Sequence, residues 1–99
     1  MDIIVTGQHF ELTDTLRDYA TDKIKKLEHY LDNIIKAHVV LTIEDSRDEK
    51  KRHVAHADIH VRGKDLYAEA KAENMYAAID ELSDKLIHQA RKIKDKEKR

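Results

Sequence analysis

Cysteine is absent from the 99-residue chain, which excludes disulfides, thiol nucleophiles and cysteine-based zinc sites. Proline is absent too, so no proline-rich linker divides it. Gly7 and Gly63 are its only glycines, too few for a phosphate-cradling glycine loop. No apolar run approaches the roughly 20 residues of a membrane span. The opening MDIIVTGQHFELTD has no basic stretch followed by a long apolar one, so no signal peptide is expected. A reducing cytoplasmic setting, away from membranes, is the simplest expectation.

Charge is abundant instead. Charged residues make up 39% of the chain, yet the formal net charge is only −1. The distribution is uneven. Residues 85–99 hold seven lysines and arginines against Asp95 and Glu97, a local excess of +5 that leaves −6 on residues 1–84. A basic end on an otherwise acidic chain points to an anionic partner.

The length suits one domain, 1–99. Asp2–Thr6 is a short β-branched run that reads as a strand closed by Gly7. Thr13 is placed to cap a helix from Asp14 to about Leu31. There Leu16, Ala20, Ile24, Leu27 and Leu31 recur on one face, and Asn33 is a natural exit. Ala37–Glu44 reads as a second strand. The charged stretch Asp45–Lys51 reads as a mobile connection. Arg52–Arg62 alternates cleanly, with His53, Ala55, Ala57, Ile59 and Val61 on one side. Gly63 marks a hairpin, after which Leu66, Ala68, Ala70 and Ala72 alternate in a fourth strand.

Asn74 then caps a last helix whose Met75, Ile79, Leu82, Leu86, Ala90 and Ile93 lie within about 40° of one line. The predicted class is α+β, ordered β-α-β-β-β-α. Two helices would cover one face of a four-stranded sheet and leave the other polar and wet. Residues 95–99 are expected to form a disordered basic tail.

No residue pattern supports catalysis. Ser46 and Ser83 sit in no nucleophile motif, and the carboxylates alternate with lysines as on an ordinary solvated surface. The chain is read as a non-enzyme without cofactor or metal. His56, Asp58 and His60 share a strand face, but residues two and four apart on a strand are about 6.6 and 13 Å apart. Metal ligands must converge within about 2.0–2.2 Å of one point.

The helices carry the stronger pattern. Lys85, Lys92, Lys96 and Arg99 fall on one flank of the last helix, with His88 and Arg91 further round. On the first helix Tyr19, Lys23, Lys26 and Tyr30 recur at steps of four, three and four. If both helices pack on one sheet face, these flanks are expected to form a basic groove. Cations on rigid helices track phosphates at low conformational cost, and neighbouring rings can stack on unpaired bases. Tyr19 is expected to serve packing instead.

Residues 74–82, Asn-Met-Tyr-Ala-Ala-Ile-Asp-Glu-Leu before a lysine-rich helix, resemble the second helix of the ribosome hibernation promoting factors. Leu16-Arg17, Lys23–Glu28, Ile4–Gly7, His38–Leu41 and Ala57–Val61 match that family in order, across nearly the whole chain. The resemblance implies a fold similar to a double-stranded-RNA-binding domain with an extra leading strand. It also implies binding of the small ribosomal subunit in the channel used by mRNA and tRNA, with translation silenced in stationary phase or stress.

Matched by position, rRNA contact falls on Lys23, Lys26, Lys85, Lys92 and Lys96, with His88 and Arg91 beside them. His88 stands where relatives often carry arginine, so the fixed charge of those relatives is not expected there. Ending at Arg99, the chain resembles the family's short form, which promotes ribosome dimers together with ribosome modulation factor. The free protein is expected to be a monomer. Two other readings stand beside this one. One is a general structured-RNA-binding protein or RNA chaperone. The other is a protein-interaction module that uses the sheet face of His56, Asp58 and His60.

Overall fold

The computed structural model describes the backbone of residues 1–97 and the side chains of residues 1–93. The chain runs through β1 (Asp2–Gln8), α1 (Asp14–Lys25), a 3-10 turn (Lys26–His29), β2 (Ile34–Ile43), a second 3-10 turn (Glu49–Lys51), β3 (His53–Val61), β4 (Lys64–Ala72) and α2 (Met75–Glu97). The β-α-β-β-β-α order read from periodicity is the order of the molecule. The strands lie in sequence order in one sheet, β1 parallel to β2 and the other pairs antiparallel. A parallel pair needs a crossover, which α1 supplies.

The helix starts follow from their caps. Thr13 Oγ1 accepts the Leu16 N–H at 3.2 Å, and Asn74 Oδ1 accepts the Ala77 N–H at 2.8 Å. Each satisfies a donor that the first helical turn leaves open. Asn33 leaves the helical segment at φ 65°, and its carbonyl accepts the Arg62 N–H at 3.1 Å. Arg62 and Gly63 link β3 to β4, with Gly63 at φ 83°, a value glycine adopts without steric cost.

Packing follows a division of labour by size. The helix-facing side of the sheet is rich in alanine: Ala55 lies opposite Ala70, and Ala57 opposite Ala68. All four are buried. Most of the large side chains come from above, where Ile24, Leu27, Ile79, Leu82 and Leu86 have 1% or less of their surface exposed, and Leu41 and Ile59 of the sheet are buried with them. Small residues on the sheet let the helices approach closely, so leucine and isoleucine fill the layer at interior density.

The structure differs from the sequence reading in several places. β1 does not stop at Gly7. A Cβ there would sit 2.9 Å from Leu12 Cβ, so the glycine serves a close approach, and the strand runs on until His9 turns at φ 63°. The first helix does not stay α-helical to Leu31; it tightens into the 3-10 turn after Lys25. The 45–51 connection is organised. Ser46 Oγ accepts the Asp48 N–H at 3.2 Å, Asp48 Oδ1 accepts the Lys50 N–H at 3.0 Å, and Arg52 Nε donates to the Ser46 carbonyl at 3.0 Å. α2 continues to Glu97, so Asp95 to Glu97 are helical backbone; residues 98 and 99 of the expected tail lie outside the described residues.

The open sheet face is not uniformly wet either. Val40, Thr42 and Val54 are buried on it. They sit on the central strands, Val40 between Thr6 and His56 in the register and Val54 between Thr42 and Lys71.

Candidate nucleic-acid interface

The cations foreseen from the sequence lie on both flanks of α2 rather than in one groove. At 100° per residue, Lys85 and Lys92 are about 20° apart, whereas Asp80 and Lys85 are about 140° apart. The Lys85 flank faces β4. Lys85 Nζ donates to the Glu69 carbonyl at 2.7 Å, and Gln89 Nε2 to the Tyr67 carbonyl at 2.8 Å. Both carbonyls belong to the outer strand, so these side chains cover a sheet edge that would otherwise offer open acceptors. Lys92 shares a shallow cleft with Lys64, Asp65 and Gln89 at the hairpin end of the sheet. Lys64, a cation the sequence reading left out, joins the candidate surface there.

The opposite flank of α2 meets α1. Here the expected basic groove is a charge-balanced seam. Lys23 Nζ lies 3.2 Å from Asp80 Oδ1, and the Tyr19 hydroxyl donates to the same oxygen. The Lys23 ammonium also stands 5.6 Å from the centre of the Tyr19 ring. Tyr19 meets Tyr76 edge-on, with centroids 4.9 Å apart, so its expected packing role is the observed one. Further along, the Arg91 guanidinium sits over the Tyr30 ring at 5.2 Å, a cation–π contact of about 0.5–1 kcal/mol at an exposed site.

Lys26 and His88 are exposed. The Lys96 side chain lies outside the described residues. The exposed His88, Arg91 and Lys92 form a band across the solvent side of α2, with Lys26 at the α1 end of the seam. Such a band presents cations from a rigid scaffold, the arrangement that phosphate recognition uses.

Asp80 is the residue that sequence reasoning missed. Its signal was present: Tyr76 and Asp80 are one turn apart on the flank that also carries Arg91. The Tyr19 hydroxyl and then Lys23 hold the Asp80 carboxyl below its ordinary range. Hydrogen bonding to Asp80 in turn raises both Lys23 and Tyr19. The sign of the linkage follows. A depressed carboxyl contributes stability that is present above the ordinary aspartate value, about 3.9, and is lost as pH falls through the folded-state value. The raised Lys23 and Tyr19 contribute stability that is present below about pH 10 and is lost as pH rises through their folded values. Asp80→Asn is therefore expected to flatten the loss of stability between about pH 4 and pH 2, read as urea midpoints. Parallel acid limbs for the two proteins would show that the seam does not couple to folding.

On the open sheet face each histidine sits opposite a carboxylate: His38 opposite Asp58, His56 opposite Glu69, His60 opposite Asp65. His60 Nδ1 is 2.5 Å from Asp65 Oδ1, and His38 Nε2 is 3.1 Å from Thr6 Oγ1. Ile4 and Tyr67 are 47% and 51% exposed at the two ends of the His38–Asp58 row. No described helix is long and apolar enough to cross a membrane.

Comparison with known proteins gives the same architecture a lineage. Residues 3–98 match the family described as sigma 54 modulation protein / S30EA ribosomal protein. The chain is 44% identical over 96 residues to the ribosome hibernation promoting factor of Escherichia coli K12, covering 97% of this chain and 96% of that protein. The N-terminal domain of Thermus thermophilus Protein Y superposes with a TM-score of 0.81 at 32% identity, covering 94% of this chain and 99% of the other. A ribosomal subunit interface protein from Coxiella burnetii gives 0.79 at 26% identity, covering 96% and 99%. The chain belongs to the sigma 54 modulation protein / S30EA ribosomal protein family and is a relative of the ribosome hibernation promoting factors.

Proposed function

We propose that the protein silences ribosomes without catalysis. It binds the small subunit in the channel that mRNA and tRNA use and excludes them by occupancy. The observation that carries this reading is the band of His88, Arg91 and Lys92 on the solvent side of α2, continued by Lys26, on a chain whose relatives are named for ribosome hibernation. A single rigid helix can follow an RNA backbone with these groups while its apolar stripe stays in the core. Lys85, on the flank beside the band, and Lys96, assigned from the sequence alone, complete the set of cations in this reading. Ribosome dimerisation with ribosome modulation factor on the same particle follows as its outcome in stationary phase or stress.

The test is co-sedimentation with isolated small subunits, with and without excess tRNA and mRNA. Salt-sensitive binding that these ligands displace is the expected result. If about five phosphates are neutralised, log affinity falls with log salt at a slope near −3.5 to −4.5. Binding that survives saturating tRNA and mRNA would remove the occlusion mechanism.

The exposed Ile4 and Tyr67 favour one alternative, a protein contact through the open sheet face. That activity would persist after charge reversal on α2, which separates the two readings.

A further inference from the structure

We infer that Asp80 is a built-in counter-anion: it occupies Lys23 in place of an RNA phosphate and thereby limits how many phosphates the protein can neutralise. The inference rests on the RNA-facing reading above and identifies the residue that tunes it.

The geometry leads there directly. Lys23 lies on the first-helix flank that the positional match assigns to RNA, yet its ammonium is only 3.2 Å from a carboxylate of the neighbouring helix. That carboxylate is fixed. The Tyr19 hydroxyl donates to the same oxygen, and Tyr19 is itself wedged edge-on against Tyr76. The Lys23 side chain is only 28% exposed, against 47% for Asp80. The lysine is therefore the more enclosed partner, and its charge points into the seam.

A phosphate approaching Lys23 has to displace or adjoin a carboxylate that already holds the ammonium and a phenol. Two anions at one ammonium repel each other, so phosphate neutralises Lys23 only when Asp80 gives it up. Lys26, exposed at the end of the same flank, feels Asp80 through space without a hydrogen bond to it, and stays available. Asp84 likewise acts on Lys23 only through space. Asp80 thus differs from the other carboxylates of the seam in its direct grip on one cation.

The consequence is a salt-slope signature that a merely structural role would not produce. Removing the charge of Asp80 while keeping its shape should release Lys23 to take one more phosphate. Asp80→Asn is expected to steepen the log affinity–log salt slope by about 0.7–0.9, which is about 5–8-fold tighter binding at 0.1 M salt. The added slope should vanish in Asp80→Asn with Lys23→Gln. Asp84→Asn removes an equal charge from the same helix without freeing a hydrogen-bonded lysine, and should yield less than half of that increment.

The experiment measures affinities over a salt series for a short homopolymeric single-stranded RNA and for isolated small subunits. Circular dichroism checks that each variant is folded. An unchanged slope in Asp80→Asn, with the wild type salt-sensitive, overturns the role of Asp80 and leaves the RNA-binding reading standing. A shallower slope with weaker binding overturns it as well, because Asp80 would then be aiming Lys23 at phosphate. An equal increment in Asp84→Asn, or one that survives Lys23→Gln, reassigns the effect to bulk charge and also overturns the proposal. A wild type with no salt-dependent affinity for either probe overturns both the RNA-binding reading and the inference built on it.

Discussion

Leu82→Ala is expected to destabilise the fold by about 3–5 kcal/mol, the upper half of the range for leucine truncation in a core. Leu82 has no exposed surface and sits in the layer between α2 and the sheet. The cost of such a truncation depends on how far the surroundings can collapse into the space left behind. Here β3 and β4 present Ala55, Ala57, Ala68 and Ala70 beside Ile59 and Leu66, and the alanine methyl groups have no rotamer that could lean inward. Leu31, 7% exposed, borders solvent that can enter the space left behind, so its truncation should cost less. For a domain of this size each kcal/mol corresponds to about 4–8 °C in Tm, so the two variants should be well separated in a thermal melt. A loss below about half a kilocalorie for Leu82→Ala would mean that the layer repacks and that the size division between helix and sheet is not what holds it.

The same size division explains why so much of the fold was legible in the sequence. Alternation of small apolar residues in β3 and β4, and a continuous stripe on α2, encode which face of each element is buried. Those local periods needed no tertiary information. The departures arose where a residue served a distant contact. Gly7 looks like a strand terminator, but its missing Cβ makes room for Leu12. Val40 and Val54 fall on the face assigned to water, but they lie on central strands with a neighbour on each side, one of them the longer His56 or Lys71.

The basic surface was legible to the same depth and no further. Spacing on a helix states the angle between two side chains about the axis. It does not state which flank faces the neighbouring helix and which faces the sheet edge. Spacing puts Lys85 and Lys92 on one flank, and in the structure that flank lies over β4, where Lys85 covers the Glu69 carbonyl. The flank toward α1 carries Asp80, and only the packing of the two helices brings its carboxylate to Lys23 and Tyr19. A lysine count therefore overstates the free cations of this surface, because the fold itself has already paired some of them, Lys23 with Asp80 among them.

This distinction sets the largest functional effect expected of any variant. Reversing Lys26, Arg91 and Lys92 to glutamate should weaken binding to small subunits by at least about 100-fold at 0.1 M salt. Neutralising three phosphate contacts alone removes about 0.7–0.9 from the salt slope per contact, or two to three decades of affinity at that salt, and the added negative charges repel the backbone further. Fold stability should change far less, since Lys26, Arg91 and Lys92 are exposed and the Arg91 contact with the Tyr30 ring is of the weak, exposed kind. Lys85→Ala provides the contrast. Its ammonium is engaged with the β4 edge, so its loss should weaken binding less than the loss of Arg91 or Lys92. It should instead leave the Glu69 carbonyl open to a second strand, visible as concentration-dependent association. If the triple reversal binds subunits like the wild type, the α2 band is not the contact surface, and Ile4, Tyr67 and the histidine–carboxylate rows of the opposite face become the place to look. If binding collapses while the melting temperature holds, affinity resides in exposed cations that the core does not need.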